Sequence, residues 1–502
     1  MTQRSATETT PEALFRPVMV LMSGRLLGFL AAFAIPIVLA RVFNQNDFGT
    51  YKQLFLIHAT LFGFAQLGMA ESLYYFLPTE SRHSGAYIVN AVVVMGGAGL
   101  LCAALLWWQS DAVATLLNNT ELTPYIPYIG LYLLLILLGL VLEIVLTARR
   151  LHIGASLSYA GTDLVRAVFF VVPVLWVANL QWLMTGAVAF ALLKLMATLL
   201  FLVRSKEIEL RTDRQHLRRH LTYALPFGCA GIIEVLQLNY HLYAVSYYFD
   251  AATFAIYAVG CLQVPLIDIL TSTTSSVMMV NMRQKVMQGD FAAVHAIWVD
   301  SVRKISLLLL PLVTLLLLVA PLLIVLLFGE PYRASVPVFM VWTASTALTC
   351  LLTDSVLRVF AQNRYLIMQN ALRLAIVILL IQFFLERLEL VGAVLVTTLA
   401  SAVIKVMAMH RVGSLIQASW SAVLPWRSLM LTLLICGGAL LPALLVRELL
   451  SLSPVLTLLI VSAVFTLTYV LLLILFGPLT QEEKSQLLTW ASAPLLHYRV
   501  NL

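Results

Sequence analysis

Charge is scarce in this sequence. Only 11% of its 502 residues are charged and 61% are hydrophobic, whereas a soluble protein is about one quarter charged and under half apolar. A water-soluble domain has too little polar exterior to hide so much apolar surface. A soluble enzyme, a nucleic-acid binder and a disordered scaffold are thereby excluded. Cysteine is equally sparse. Cys102, Cys229, Cys261, Cys350 and Cys436 all lie in apolar segments with no CxxC spacing or neighbouring histidine, and they read as small buried hydrophobes rather than disulfides or metal ligands. The loops lack GxSxG, HExxH, P-loop and paired-carboxylate motifs, so no catalytic residue, cofactor or metal is expected. Met1–Leu14 has no apolar core, and no cleavable signal peptide is expected.

Long apolar runs are what the chain does contain. A crossing helix needs about 20 apolar residues, and fourteen runs qualify: 17–40, 52–77, 86–108, 124–147, 156–178, 182–203, 221–248, 252–280, 305–328, 335–357, 365–385, 390–410, 428–446 and 453–476. None alternates with the two-residue period of a membrane barrel. The expected fold is an all-α integral membrane protein of about fourteen transmembrane helices. Of 31 Lys+Arg, 21 fall in segments that place together on one side, 5 on the other and 5 within spans. By the positive-inside rule both termini face the cytoplasm. The outside loops are short, the longest being 109–123, which disfavours a membrane glycosyl polymerase or ligase.

A basic stretch, Arg204–Arg219, divides the chain, and it reads as a linker near anionic lipid headgroups. On either side a pattern recurs: Phe43-x4-Phe48-x2-Tyr51 after the first span and Phe249-x4-Phe254-x2-Tyr257 after the seventh, 206 residues on. Six spans separate the copies, so both have the same orientation, as in the parallel repeats of transporters. The expected organisation is an N-lobe (1–203, spans 1–6), a basic cytoplasmic linker (204–220) and a C-lobe (221–411, spans 7–12) around a central cavity. Two further C-terminal spans (412–477) and a cytoplasmic tail (478–502) follow.

The stretches Gly24-Arg25-Leu26-Leu27-Gly28, Val38-Leu39-Ala40-Arg41-Val42-Phe43 and Asp47-Phe48-Gly49-Thr50-Tyr51 resemble the opening of polysaccharide transporters. Leu225-Pro226-Phe227-Gly228 and Tyr247-Tyr248-Phe249 resemble the start of their C-lobe. The family is that of the oligosaccharide (Wzx-type, O-antigen) flippases within the multidrug/oligosaccharidyl-lipid/polysaccharide exporter superfamily. The resemblance implies a two-lobe transporter that moves a polyprenyl-pyrophosphate-linked oligosaccharide from the inner to the outer leaflet of a bacterial inner membrane. Expected partners are membrane lipids and the polysaccharide polymerase machinery, with a proton or sodium counterflow open to the intramembrane carboxylates, and a monomer is expected because the cavity lies within one chain. A lipid II flippase and an ion-coupled drug or metabolite antiporter are the alternatives.

Ionisable side chains in hydrocarbon are costly and mark cavities, partners or ligands. Eleven lie within spans: Arg25, Glu71, Glu143, Asp163, Arg166, Lys194, Glu234, Asp268, Asp354, Arg373 and Lys405. None falls in the outer half, which suggests a vestibule open to the cytoplasm. Arg25 is the first choice for the pyrophosphate, because its guanidinium holds two phosphate oxygens and Gly24 and Gly28 leave room beside it. Arg373, Lys194, Arg166 and Lys405 follow, although Asp163 and Arg166, three residues apart, can neutralise one another. Glu143 and Asp354 read as snorkelling anchors near span ends. Glu234, Gln237 and His241 form a stripe on span 7, and Asp268, Thr271, Ser272 and Ser275 another on span 8. Facing them are expected Gln66 and Glu71, with Glu71, Glu234 and Asp268 available for ion coupling. His58 and His241 read as packing residues. Pro36, Pro265 and Pro311 mark sites where a helix kinks or merely tolerates proline. Phe291, Val294, Ile297 and Trp298 form an amphipathic face expected to lie along the membrane surface.

Overall fold

The fold, a computed structural model, is described for residues 28–80, 83–149, 151–205, 214–449 and 452–485. All regular structure among the described residues is helical. It begins with α1 (Gly28–Val42), a short apolar helix, then α2 (Gln45–Ala65), α3 (Met69–Thr79), α4 (Ser84–Trp108), α5 (Ser110–Leu116), α6 (Ile126–Gly139), α7 (Val141–Ala148), α8 (His152–Val177) and α9 (Leu180–Arg204). It continues through α10 (Arg214–Tyr248), α11 (Ala251–Gly260), α12 (Pro265–Met287), α13 (Phe291–Phe328), α14 (Val336–Thr346), α15 (Thr353–Val359), α16 (Asn363–Leu415), α17 (Trp426–Leu449) and α18 (Pro454–Phe476).

Length converts these helices into crossings. Ten are long and apolar enough to span a bilayer, taking α6 with α7 and α14 with α15 as continuous spans, and two bent pairs, α2 with α3 and α11 with α12, complete twelve. The 53 residues of α16 would run roughly 80 Å at 1.5 Å per residue, far more than one hydrocarbon core needs. Its backbone turns at Glu389 (φ 48°, ψ −134°), and the arms come back together where the Tyr365 hydroxyl donates to the Met407 carbonyl at 3.1 Å. It therefore crosses twice, which brings the crossings among the described residues to thirteen; α1 is shorter than a crossing needs, and the start of the first apolar run, 17–27, lies outside the described residues.

The breaks do not follow the prolines. Pro265 opens α12 at a 47° bend, a position where its missing N–H costs nothing, but α1 and α13 run on through Pro36 and Pro311. The other sharp bend, 42° between α2 and α3, falls at Leu67 and Gly68, both with positive φ. Gly68 is required there twice over: it sits at φ +72°, and a Cβ would drive into the Ala224 carbonyl of α10.

The chain divides into two compact units, Met1–Val259 with Asn370–Ala393, and Gly260–Gln369 with Val394–Leu502. In the first, α2 and α3 pack on α10. The two repeat motifs begin helices there in the same way. Asn44 caps α2 by accepting the Asp47 amide at 2.8 Å, and Asp250 caps α11 by accepting the Thr253 amide at 2.8 Å. The Thr253 hydroxyl, and after it that amide bond, hold the Asp250 carboxyl below its ordinary range. The caps are 206 residues apart, like the aromatics beside them, of which Phe43, Phe48, Tyr51, Phe254 and Tyr257 are all buried. Each motif thus joins a helix cap to aromatics that pack in the core.

In the second unit the amphipathic face expected on the membrane surface is instead core. The segment continues unbroken into the 38-residue α13, and Val294 and Trp298 are fully buried among Met278, Met282, Leu351 and Val356. The periodicity marked a buried face correctly, but protein rather than lipid headgroups covers it.

Further along α13, Arg303 gathers the chain's last described turn. It reaches Asp300 at 2.8 Å, both Glu483 oxygens at 2.8 and 2.6 Å, and the Pro478 carbonyl at 2.9 Å. The guanidinium bonds pull the Glu483 carboxyl down to about 2 from its usual 4.5. A depressed folded pKa gives an attachment fully present above about 4.5 and lost as pH falls toward 2. Hydrogen exchange at Thr480–Ser485, corrected for intrinsic rates, should accelerate over that window, and Glu483→Gln should exchange fast at pH 7 with no such transition.

Candidate functional site

The intramembrane charges are not distributed at random. In the first unit, Arg166 on α8 pairs with Asp163 one turn earlier at 2.8 Å, and its charge reaches Tyr51, His58 and Tyr132. His58 lies in an aromatic cluster, 4.8 Å from the Tyr132 ring and 5.6 Å from Phe62, with Phe55 bridging to Phe170. Asp163 also lies against Gly28, one of the two glycines expected to leave room. A Cβ on Gly28 would come within 2.5 Å of its carboxylate, so Gly28 serves α1–α8 contact. Arg25 itself lies outside the described residues. Lys194 of α9 finds its partner on another helix, Glu143 of α7, at 3.2 Å, with both side chains enclosed. Glu143 is 3% exposed and also accepts the Thr162 hydroxyl at 3.2 Å. It is thus a buried ion-pair member and not the snorkelling anchor its position suggested. Arg373 is half-buried and within electrostatic range of His241.

The α10 stripe divides. Gln237 and His241 are buried, with His241 Nδ1 2.7 Å from the Tyr257 hydroxyl, whereas Glu234 is exposed. Glu71 is exposed in the first turn of α3, where the helix dipole favours a carboxylate. Gln66 turns back to its own helix, donating to the Phe62 carbonyl at 3.3 Å. In the second unit Asp268 and Ser272 are exposed on α12, while the half-buried Thr271 bonds the Ile267 carbonyl at 2.9 Å. Lys405 donates to Asp354 at 2.9 Å and to the Thr353 hydroxyl at 3.1 Å. Asp354, the other expected anchor, is therefore also an ion-pair partner.

Two cavities carry arginines that the spans did not single out. One of about 640 Å³ in the first unit is lined by Tyr75, Phe76, Arg218, Arg219 and Tyr223. Tyr75 and Tyr223 stack at 4.7 Å, Arg219 reaches Glu80 at 2.6 Å, and the buried Ser72 and His220 share a hydrogen bond of 2.6 Å beneath them. The other, about 670 Å³ in the second unit, is lined by Met279, Val280, Met287, Arg283 and Arg358. Each joins guanidinium groups to apolar walls, which suits an anionic head on a lipid tail. The basic stretch Arg204–Arg219 was the sequence signal for the first. Arg283 and Arg358 stood beyond span ends and were counted only as topology markers.

A family model described as "Polysaccharide biosynthesis protein" matches residues 38–337, well over half of the chain. The chain belongs to that family. Among solved structures it is similar to the lipid II flippase MurJ in an inward closed conformation, at 11% identity and TM-score 0.69, covering 92% of this chain and 98% of that one. It is also similar to an inward-facing multidrug-resistance MATE transporter of the MOP superfamily, at 13% identity and TM-score 0.59 over 80% and 99%, and to an outward-facing one at 12% and 0.54 over 80% and 97%. At these identities the likeness is one of fold. No curated protein matches the sequence. The family match covers both repeat motifs, α2 through α13 and the residues of the first cavity, whereas Asp354, Arg358, Arg373 and Lys405 lie beyond it.

Proposed function

We propose that this chain is a flippase that carries a polyprenyl-pyrophosphate-linked oligosaccharide from the cytoplasmic to the outer leaflet of a bacterial inner membrane. The product serves a surface polysaccharide such as an O-antigen or exopolysaccharide. The observation that carries the reading is a set of cations held within apolar helices, Arg166, Lys194, Arg373 and Lys405, in a member of a polysaccharide biosynthesis family. Hydrocarbon tolerates such groups only beside a partner, water or a ligand; Arg166 and Lys405 have partly exposed carboxylate partners, Asp163 and Asp354, which a pyrophosphate can replace, while Lys194 is closed against Glu143. In this reading residues 1–203 and 221–411 work as two lobes joined by the basic stretch 204–220, with 412–477 accessory and both termini cytoplasmic. Exporting an anionic head across an inside-negative membrane gains about 2.3 kcal/mol per charge per 100 mV, so transport has a driving force even before ion coupling through Glu71, Glu234 or Asp268 is invoked. The chain transports and does not transfer sugar.

The fold likeness to a lipid II flippase favours one second reading, in which the head is that of lipid II. In proteoliposomes, a fluorescent polyprenyl-pyrophosphate oligosaccharide should change leaflet with the intact protein, and Arg25→Ala should slow turnover at least ten-fold. Arg25→Ala at full rate would move the pyrophosphate site to Arg373, and turnover of lipid II alone would establish the second reading.

A further inference from the structure

Each half of the sequence interrupts its fourth span and answers the interruption from its sixth. In the first unit α6 ends at Gly139 and α7 begins at Val141. Lys194 of α9 lies against this break, where a Cβ on Gly139 would come within 3.1 Å of its Cγ, and reaches Glu143 just beyond. Thr198, one turn on, donates to the Gly139 carbonyl at 3.2 Å, a group the break leaves short of a helical partner. In the second unit the corresponding span breaks at Leu352, φ +49°, and Lys405 reaches Thr353 and Asp354 just beyond. The interval from Glu143 to Asp354 is 211 residues, and so is that from Lys194 to Lys405. The carboxylate–lysine pair beside an interrupted span therefore occurs twice, the interruption being a slipped hydrogen bond at the helical Leu140 in the first copy and the left-handed Leu352 in the second. Broken intramembrane helices bearing charge are where transporters place their sites.

The two copies differ in openness. The side chains of Lys194 and Glu143 are 12% and 4% exposed, but those of Lys405 and Asp354 are 16% and 56%. A carboxylate enclosed with its ammonium cannot leave without stranding a charge. An exposed one can rehydrate, and its lysine then has three donors for another anion. Arg358 stands one turn beyond Asp354 on α15 and, with Arg283, lines the cavity of about 670 Å³, so positive charge continues from that cavity toward Lys405.

We propose that the two pairs are one element kept twice with divided roles. Glu143–Lys194 is a closed clasp that fixes the broken fourth span of the first half. Lys405 is an anion-receiving group whose resident counter-ion, Asp354, gives way to the pyrophosphate of the substrate. The second role rests on the flippase reading; the first does not.

The test uses the full-length protein in detergent, with polyprenyl pyrophosphate and inorganic pyrophosphate as probes. Asp354→Asn should bind polyprenyl pyrophosphate about ten-fold tighter, because the competing carboxylate is gone, and Lys405→Met about ten-fold more weakly. Inorganic pyrophosphate bound as tightly as the lipid would assign the site to free phosphate and overturn the substrate role. Asp354→Asn with unchanged or weaker affinity would overturn the exchange. Glu143→Gln should lower the melting temperature strongly, and Glu143→Gln with Lys194→Met should recover most of it. A Glu143→Gln protein that melts like the intact one would overturn the clasp. If the intact protein binds neither probe, the flippase reading and the Lys405 role fail together, while the melting comparison still decides the clasp.

Discussion

Gly49→Ala is expected to leave little folded protein after detergent extraction. Gly49 lies in the first turns of α2, one residue after Phe48, where α2 meets the start of α11 so closely that a Cβ would overlap the Ala251 carbonyl. A flexible side chain could move aside, but here backbone faces backbone, and each helix start is fixed by its own cap, Asn44 and Asp250. The surroundings are equally rigid. Gln53, fully buried, donates to Ser246 at 2.7 Å and to the Leu117 carbonyl at 3.0 Å, and accepts from Asn119 at 2.6 Å. These bonds tie α2 to α10 and to the 117–119 segment, so α2 has little freedom to move away from α11. Overpacking in a core commonly costs about 1–3 kcal/mol, and a clash between two pinned backbones belongs at or above the upper end. Gly97→Ala is the control, because a Cβ there meets nothing within 4 Å and helix propensity alone should stabilise by about 0.5–1 kcal/mol. The check is the melting temperature of each variant by size-exclusion chromatography after heating. Equal melting of Gly49→Ala and the intact protein would refute the close approach.

Trp298→Ala should be nearly as damaging, for a different reason. The side chain is completely buried, and its indole N–H donates to the Leu351 carbonyl at 2.9 Å. That carbonyl ends the short 3-10 turn before Leu352, where the span breaks. Truncation therefore opens a cavity, worth about 3–5 kcal/mol for Trp→Ala, and also strands a buried acceptor. Trp298→Phe separates the two effects. It keeps most of the volume and loses the hydrogen bond, so about 1–3 kcal/mol is expected. Because Thr353 and Asp354 follow the break directly, Trp298→Phe should also disturb the Lys405–Asp354 pair, while Phe465→Leu, a core change among α13, α17 and α18, should not. Trp298→Phe with intact stability would show that the indole hydrogen bond contributes nothing to holding the break.

How far sequence alone reached follows from what each kind of signal reports. Apolar length reports a crossing regardless of what surrounds it, so thirteen of the fourteen runs reappear as helical crossings among the described residues, including the pair that α16 forms by turning at Glu389. The repeat was legible through its aromatics, but its physical basis was not. The equivalent capping residues are Asn44 and Asp250, alike as helix caps and different in charge, so no match of residue type marks them in the sequence. Periodicity on α13 identified a buried face without saying what buries it. Charge pairing was the weakest signal, because it depends on which helices are neighbours. Spacing within a helix finds Asp163–Arg166, but Glu143–Lys194 and Asp354–Lys405 join residues 51 positions apart on separate helices. The equal spacing within those two pairs was present in the sequence all along. Only the contacts give it meaning.

The central claim is that this chain moves an anionic lipid-linked sugar across a membrane, and the most direct test is leaflet accessibility in proteoliposomes. A fluorescent polyprenyl-pyrophosphate oligosaccharide placed in one leaflet should become quenchable from the other side only when the intact protein is present, faster with an inside-negative potential on the side of origin. Failure of that probe and of a lipid II analogue to move, in vesicles where a cationic dye does, would contradict the account and make the chain an antiporter.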